Sequence, residues 1–166
     1  MSRLLDAAAG VINATEPVPG LVTGGQPNTK QLAALKAAGF HAVIDMRDPM
    51  EPRPYRAPNA VVAAGLTYHC VPVPHDPGSD ETLGLVRRTV TELLAQGPVF
   101  AHCGSGNRTG AALIPYLMLD RGLSEDDAVN LALQMGTRSA GLLDWAMEYA
   151  RAQADSSADP GASPRG

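Results

Sequence analysis

Cysteine is scarce in this sequence: only Cys70 and Cys103 occur among its 166 residues, and they form no Cys-x-x-Cys pair. There is also no cluster of Cys and His with the spacing of metal ligands, which excludes the common structural zinc sites. We therefore expect neither a metal nor a cofactor. Two isolated cysteines are typical of reduced thiols, so we predict a cytoplasmic protein.

Lysine is rarer than arginine and occurs only at Lys30 and Lys36, and acidic residues outnumber basic ones by 17 to 13. A formal net charge of -4 gives no basic surface for a nucleic-acid backbone or an acidic membrane. No apolar run approaches the roughly 20 residues that cross a bilayer, and residues 1–10 make a poor signal peptide. We predict neither a nucleic-acid nor a membrane partner.

The rest of the composition, 45% hydrophobic and 18% charged, is that of an ordinary globular protein. A chain of this length can bury one sizeable core, so we predict a single domain over residues 1–153. From residue 154 onward Ser, Asp, Pro and Gly dominate. We predict that residues 154–166 form a disordered tail.

Short apolar or β-branched segments alternate with amphipathic segments along the chain. This alternation predicts an α/β three-layer sandwich, with a central, mostly parallel sheet of four to five strands flanked by helices. Asn28, Ser79 and Ser124 are predicted helix caps, and Pro115 predicts a kink in an apolar helix over 111–119. The strand candidates are residues 21–23, 42–46, 67–73 and 99–102.

The most informative segment runs from His102 to Gly110 and joins a predicted strand to a predicted buried helix. The first amides of that helix point back toward the loop, and the helix dipole is positive there. Small residues after Cys103 let consecutive N–H groups converge into a nest for an oxyanion, and Asn107 tolerates a left-handed conformation. Such a site favours a thiolate, so we predict that Cys103 is a nucleophile.

The two residues that follow Asn107 add to this interpretation. Arg108 can hold two oxygens of a bound phosphate through its fork, and Thr109 can donate its hydroxyl to the thiolate. The alternative is a buried core cysteine followed by an ordinary turn. The combination of all these residue types in one loop favours the chemical interpretation. The predicted phosphate-binding residues are Gly104, Ser105, Gly106, Asn107, Arg108 and Thr109.

The segment resembles the signature loop of protein tyrosine and dual-specificity phosphatases: His-Cys, two residues, Gly, two residues, Arg, then Ser or Thr. The matching residues are His102, Cys103, Gly106, Arg108 and Thr109. Over residues 20–150 the chain also resembles the bacterial phosphatase-like domain often fused to metallo-β-lactamase-type hydrolases. That likeness is carried by residues 24–27, 39–40, 43–47, 65–68 and 71–73.

The resemblance implies a cysteine-dependent phosphomonoester hydrolase that works through a phosphocysteine intermediate without a metal. Its substrate would be a phosphorylated protein or small molecule, with phosphate or sulfate held in the loop. The family role of His102 is to organise the loop by hydrogen bonding, and its ring is expected to bond backbone.

One feature departs from the phosphatase pattern: only Asn107 separates Gly106 from Arg108, where phosphatases have two residues. The shorter ring resembles the loop of rhodanese sulfurtransferases, as does the strand Val43 to Arg47, although the rhodanese pattern Gly-His-Ile-Pro-Gly-Ala is absent. Two alternatives therefore stay open. One is sulfur transfer through a Cys103 persulfide, and the other is a non-catalytic module that binds phosphate or sulfate.

The family resemblance also implies a general acid, usually an Asp on a mobile loop before the long helix. Asp76 lies in the corresponding place, between Pro and Gly residues that provide hinges. Its own alternative is a turn-forming Asp before Pro. Asp80 competes for the role, but it fits the first turn of a helix better.

Arg47 and Cys70 each have two candidate roles. Arg47 ends a strand on the side of the site, where it either contacts substrate or pairs with Asp48 or Glu51. Cys70 is predicted to be a buried structural thiol. A disulfide with Cys103 is its alternative, which requires Cα atoms within about 7 Å.

Overall fold

Five short strands form one sheet in the computed structural model, which describes residues 2–158. The strand order is β1-β2-β5-β3-β4, with β1 antiparallel to β2 and every other pair parallel. This confirms the predicted α/β class and the mostly parallel sheet. The strands are β1 (Thr15–Val18), β2 (Leu21–Gly24), β3 (Ala42–Asp45), β4 (Thr67–Cys70) and β5 (Val99–His102).

Helices cover both faces of the sheet. Within residues 2–158, none of them is both long and apolar enough to cross a membrane. Their bounds are α1 (Arg3–Asp6), α2 (Thr29–Ala37), α3 (Asn59–Ala63), α4 (Asp80–Leu94), α5 (Asn107–Pro115), α6 (Glu125–Met135) and α7 (Ala140–Ala158).

Alternate residues of the central strands supply two separate cores. In β3, Ile44 packs into the core under α4 to α7, whereas Val43 packs into the core under α2 and α3. In β5, Ala101 packs into the first of these cores and Phe100 into the second. Because successive side chains of a strand point to opposite faces, a strand covered on both sides needs a continuous apolar run. The layers are therefore helix, sheet and helix.

Side-chain caps fix where three helices begin. Asn28 and Gln31 form a reciprocal capping box at the start of α2, with bonds of 2.8 and 2.9 Å. Ser79 accepts from the amide of Glu81 before α4, and Ser124 caps α6 in the same manner. All three predicted caps are confirmed.

Some predicted elements differ from the structure. β1 is not among the predicted strands; it lies at the edge of the sheet, where Pro17 is tolerated. The strand predicted over 67–73 is shorter in the structure, since β4 ends at Cys70. After Pro115, which has no N–H to donate, the chain continues as a π-helical turn over Tyr116–Asp120.

The last helix also extends further than predicted. α7 runs to Ala158, so residues 154–158 are helical and not part of a disordered tail. Ala152, Gln153 and Ala154 are good helix formers, so the helix continues past residue 153. The rest of the predicted tail lies outside the described residues.

The carboxyl ends of the four parallel strands lie in one row across the sheet. Gly24 and Asp45 both pair with His102, from opposite sides, and Cys70 pairs with Asp45. The segments that follow these strands therefore meet at one edge. In sheets of this kind, ligand sites lie at that edge.

Gly110 in α5 permits a close approach to α6, which gives a stability test. A Cβ at this position would overlap Thr137 Oγ1 and lie 2.8 Å from the carbonyl oxygen of Ala132. We expect Gly110→Ala to lower the free energy of unfolding in urea by about 2 kcal/mol, because overpacking forces the helices apart. Gly141→Ala is the control, since its Cβ would meet only ordinary contacts of 3.6 Å or more. Equal stabilities of the two variants would contradict this account.

Candidate active site

Cys103 follows β5 directly and lies beneath the loop that leads into α5. Its side chain is only 1% exposed, and its Sγ accepts the backbone N–H of Gly106 at 3.1 Å. α5 begins at Asn107, so the sulfur lies at the positive end of a buried helix. This local structure matches the predicted strand, loop and helix around Cys103.

Gly106 gives the loop its shape. Its φ of 101° lies in the left-handed region, and a Cβ there would overlap the carbonyl oxygen of Met135. Asn107 tolerates a left-handed conformation but does not need one here, because Gly106 already makes the turn. Asn107 is helical instead, and its Oδ1 accepts the amides of Arg138 and Ser139 at 2.7 and 3.3 Å.

The loop turns its carbonyl groups away from the sulfur. The Gly104 oxygen accepts the amide of Gln26 at 3.0 Å, and the Ser105 oxygen accepts Nδ2 of Asn13 at 2.8 Å. With the carbonyls held outward, the amides are left to form an oxyanion nest. The amides of Gly104, Ser105, Asn107 and Arg108 are among those that donate to no acceptor within residues 2–158.

The residues that hold these carbonyls were not predicted. Asn13 is the one non-glycine residue with positive φ among residues 2–158, at 57°. Gly25 lies so close to the loop that a Cβ would be 2.6 Å from the Gly104 oxygen. The run Gly24-Gly25-Gln26 was visible in the sequence as part of the family resemblance, whereas nothing local marked Asn13.

Arg108 is buried, and its guanidinium is held by a carboxylate. Nη1 and Nη2 donate to the two oxygens of Glu51 at 2.5 and 3.1 Å, and Arg47 Nε donates to the same carboxylate at 2.8 Å. The hydrogen bonds from Arg108 hold the pKa of Glu51 well below its ordinary value, although partial burial opposes this. Glu51 was foreseen only as a partner of Arg47, and that pairing is confirmed.

His102 is fully buried beneath the loop. Its Nδ1 lies 3.0 Å from the Cys103 carbonyl oxygen, which can only accept, so Nδ1 carries the proton. The ring bonds backbone, as expected. Nε2 has no hydrogen-bond partner among residues 2–158 and lies 4.0 Å from Asp45 Oδ1. Burial lowers the pKa of His102, although Asp45 opposes this.

Thr109 does not make the predicted hydrogen bond to the thiol. Its hydroxyl is buried and has no hydrogen-bond partner in the described part of the chain. The sulfur accepts the Gly106 amide instead. A role for Thr109 at the sulfur is therefore not seen in this conformation.

Asp76 lies on the exposed loop between Val73 and Ser79. It lines a cavity of about 460 Å³ together with Arg108, Glu51 and His75. Asp80 does not line this cavity and begins α4. Of the two carboxylates considered as general acid, only Asp76 thus opens onto the space beside Arg108.

Comparison with known proteins identifies the family. A family model described as a DSP-PTPase phosphatase of polymorphic toxin systems matches residues 19–122, more than half of the chain. The chain belongs to this phosphatase family. The match includes Cys103 and Arg108, and also Asp76.

Relatives of this phosphatase-family chain include much longer proteins. The β-lactamase hydrolase-like protein of Agrobacterium fabrum is 32% identical over 102 residues, which are 59% of this chain and 22% of the relative. The protein of the same name from Xylella fastidiosa strain Temecula1 is 29% identical over the same shares. The chain thus spans about a fifth of the length of these curated relatives.

Solved structures show the same phosphatase-like fold. A DUF442 phosphatase structure from Shewanella putrefaciens has a TM-score of 0.75 at 18% identity, covering 89% of this chain and 97% of its own. Tk-PTP in its active form has a TM-score of 0.73 at 22% identity, covering 84% and 97%. Pseudomonas aeruginosa TpbA in complex with pTyr has a TM-score of 0.67 at 21% identity, covering 84% and 83%.

Cys70 is placed differently from the sequence prediction. It is exposed on the edge strand β4 and not buried, and β3 separates β4 from β5. Two interstrand spacings, about 9.6 Å, therefore separate Cys70 from His102 in register, which argues against a disulfide to Cys103. Partial burial raises the pKa of the Cys70 thiol.

No cluster of three or more His, Cys, Asp or Glu side chains suited to a metal ion occurs within residues 2–158.

The buried neutral His102 predicts a pH dependence of stability. The unfolded chain binds a proton on this ring below its ordinary pKa of about 6.5, while the folded chain does not, because its pKa is lowered. The free energy of unfolding should therefore fall as pH drops from 6.5, by at most about 1.4 kcal/mol per pH unit. We expect His102→Gln to reduce this slope between pH 6.5 and 5 in urea titrations. Burial also lowers the pKa of His69, but this residue is present in both proteins and contributes equally to both slopes. An unchanged slope would contradict this assignment.

Proposed function

We propose that this chain is a cysteine-dependent phosphomonoester hydrolase that works through a phosphocysteine intermediate. The observation that carries the proposal is the nest of four uncommitted amides, joined to the Cys103 sulfur at the start of α5. Membership of a phosphatase family supports phosphate as the oxyanion. The buried Arg108 beside the nest adds a fixed positive charge.

In the first step, the Cys103 thiolate attacks phosphorus in line with the leaving oxygen. An S–P bond forms, the P–O bond to the leaving group breaks, and Asp76 gives its proton to that oxygen. The loop amides and Arg108 stabilise the charge on the three equatorial oxygens. Asp76 fits this role because it lines the cavity that Arg108 also lines.

In the second step, a water molecule attacks the phosphocysteine. The Asp76 carboxylate takes a proton from that water, a new P–O bond forms, and the P–S bond breaks. Inorganic phosphate leaves, and Cys103 returns as the thiolate. The cycle requires a reduced thiol, which supports a reducing compartment such as the cytoplasm.

The substrate in this proposal is a phosphorylated protein or a small phosphate ester. The pTyr bound to TpbA supports an aryl phosphate as the first probe. The wall of the cavity also includes Pro72, Val73, Pro74, His75 and Pro77. Such a wall gives apolar contact to the group that carries the phosphate.

A leaving-group series tests the roles of Cys103 and Asp76. We expect Cys103→Ser to abolish release of phosphate from p-nitrophenyl phosphate. Asp76→Asn should lower kcat/KM, which reports the first step, by roughly 100-fold with phenyl phosphate but by much less with p-nitrophenyl phosphate, because p-nitrophenolate leaves without protonation.

Asp80→Asn is the matched control for Asp76, since Asp80 lies in the first turn of α4 and outside the cavity. It should leave both rates within about twofold. If Asp76→Asn lowered kcat/KM equally for both esters, Asp76 would not be the general acid. Phosphate release by Cys103→Ser would refute the phosphocysteine intermediate.

Sulfur transfer is the second candidate, and the length of the loop favours it. Only four residues separate Cys103 from Arg108, as in the rhodanese ring. In this reaction the Cys103 thiolate would attack the outer sulfur of thiosulfate, the S–S bond of thiosulfate would break, and sulfite would leave. The Cys103 persulfide would then pass its outer sulfur to a nucleophilic acceptor such as cyanide and return as the thiolate. Thiocyanate formation from thiosulfate and cyanide, lost in Cys103→Ser, would support it. If the chain formed thiocyanate but released no phosphate from any ester, sulfur transfer would replace the phosphatase proposal. Phosphate binding without either activity would indicate a binding module.

A further inference from the structure

Residues 74–78, the acid loop, carry Asp76 and are held by few polar contacts. The loop follows Val73, whose amide donates to the Met46 carbonyl at 3.0 Å, and it ends before Ser79, the cap of α4. Between these anchors its residues are exposed and make no hydrogen bond to another segment within residues 2–158. The position of Asp76 therefore depends on how the loop packs against a neighbouring element.

That neighbouring element is α7. A Cβ built on Gly78 would lie 3.8 Å from Cη2 of Trp145, and one built on Gly141 would lie 3.6 Å from Cδ of Pro77. These distances leave no room for another side chain between the acid loop and the first two turns of α7. Trp145 does not line the cavity beside Arg108. It thus supports the loop from the side of the core, outside the space for a substrate.

The segment that leads into α7 is fixed to the oxyanion nest. Oδ1 of Asn107 accepts the amides of Arg138 and Ser139 at 2.7 and 3.3 Å, and Thr137 donates its hydroxyl to the Asn107 carbonyl at 2.9 Å. Asn107 also supplies one of the amides of the nest. α7 is therefore joined to the nest at its start and to the acid loop within its first two turns. A helix is a rigid spacer, so it sets the distance between the two.

The indole ring of Trp145 contributes its reach to this contact and not a hydrogen bond. The residue is only 7% exposed, and its Nε1 has no hydrogen-bond partner within residues 2–158. A buried N–H without an acceptor is unfavourable, and phenylalanine at this position would avoid that cost. Cη2, the atom that approaches Gly78, lies on the part of the indole furthest from the backbone, and a phenyl ring does not extend so far.

We propose that Trp145 is a positioning residue that keeps the acid loop at the rim of the cavity, so that Asp76 faces the leaving oxygen of a phosphate in the nest. This inference rests on the proposed phosphatase function. Proton transfer requires the donor within hydrogen-bond distance of the leaving oxygen, so a displacement of about 1 Å removes much of its effect. Trp145 acts only through the loop.

The alternative is that Trp145 only fills the core under α4 to α7, of which it is a member. Core packing predicts that a smaller ring affects all substrates alike. Positioning predicts an effect that depends on the leaving group, because only a poor leaving group needs the proton from Asp76. The dependence on the leaving group therefore separates the two interpretations.

Trp145→Phe is the first test, with the same two esters that test Asp76. We expect kcat/KM to fall roughly tenfold for phenyl phosphate and less than about threefold for p-nitrophenyl phosphate. The melting temperature should change by less than about 4 °C, since loss of the unpaired N–H offsets part of the lost contact. Tyr149→Phe is the matched control, because Tyr149 lies one turn further along α7 and lines a different cavity, beside Arg87. It should change neither rate by more than about twofold.

Two further variants connect the effect to the acid loop. The double variant Trp145→Phe/Asp76→Asn should lose no more activity than Asp76→Asn alone, because the position of the loop no longer matters once the acid is absent. Pro77→Ala removes the ring atoms that approach Gly141, and it does so at an exposed position without changing the core. We expect the same dependence on the leaving group, with a smaller loss for phenyl phosphate.

Fluorescence tests the contact without any turnover, since Trp145 is the only tryptophan in the sequence. Pro77→Ala should raise the constant for quenching of Trp145 by acrylamide, because a displaced loop exposes the ring. Asp80→Asn, at the start of α4, should leave that constant unchanged. Equal quenching in all three proteins would show that the loop does not cover Trp145.

The outcomes in activity are equally distinct. Equal losses for the two esters, or additive losses in the double variant, would overturn positioning in favour of core packing. An unchanged kcat/KM of Trp145→Phe for phenyl phosphate would overturn it outright. If the unmodified chain released no phosphate from any ester, the proposed function would fail, while the quenching would still show whether the loop rests on Trp145.

Discussion

The outward orientation of the carbonyls in the loop after Cys103 is the constraint on which the site depends. Each peptide group that turned over would replace an N–H donor at the sulfur with a carbonyl oxygen, which repels anions. Gln26 and Asn13 prevent this by holding the Gly104 and Ser105 oxygens. The close contact of Gly106 with Met135 fixes the turn from the other side. The proposed anion site is therefore built by segments from both ends of the domain.

Charge is arranged in pairs from the sheet to the cavity. Asp45 pairs with Arg53, and Glu51 pairs with Arg47 and Arg108. Removing one partner from a buried pair leaves an uncompensated charge, which costs several kcal/mol, so these groups constrain one another. His102 stays neutral within this set, which avoids placing another positive charge beneath the nest. The charge that remains for an anion belongs to Arg108.

Family membership and loop length address different questions. The match over residues 19–122 and the shared fold establish a phosphatase-type domain. The number of residues between Cys103 and Arg108 concerns what the proposed thiolate would attack, because it sets the size of the ring that would enclose the anion. Both phosphate and thiosulfate are oxyanions that such a nest accepts. The position of Asp76 beside the cavity favours phosphate, since ester cleavage needs an acid for the leaving group and sulfur transfer does not.

Local patterns in the sequence determined the helix caps, the buried strands and the loop from Cys103 to Arg108, because each depends on residues close along the chain. The tertiary structure alone decided which distant residues complete the site. Glu51 reaches Arg108 across 57 residues, and Asn13 reaches Ser105 across 92. Strand order also decided that Cys70 is exposed and remote from Cys103. Hydrophobic periodicity shows that a segment is a strand, but not which strand lies beside it, and the partners of the active-site residues follow from that arrangement.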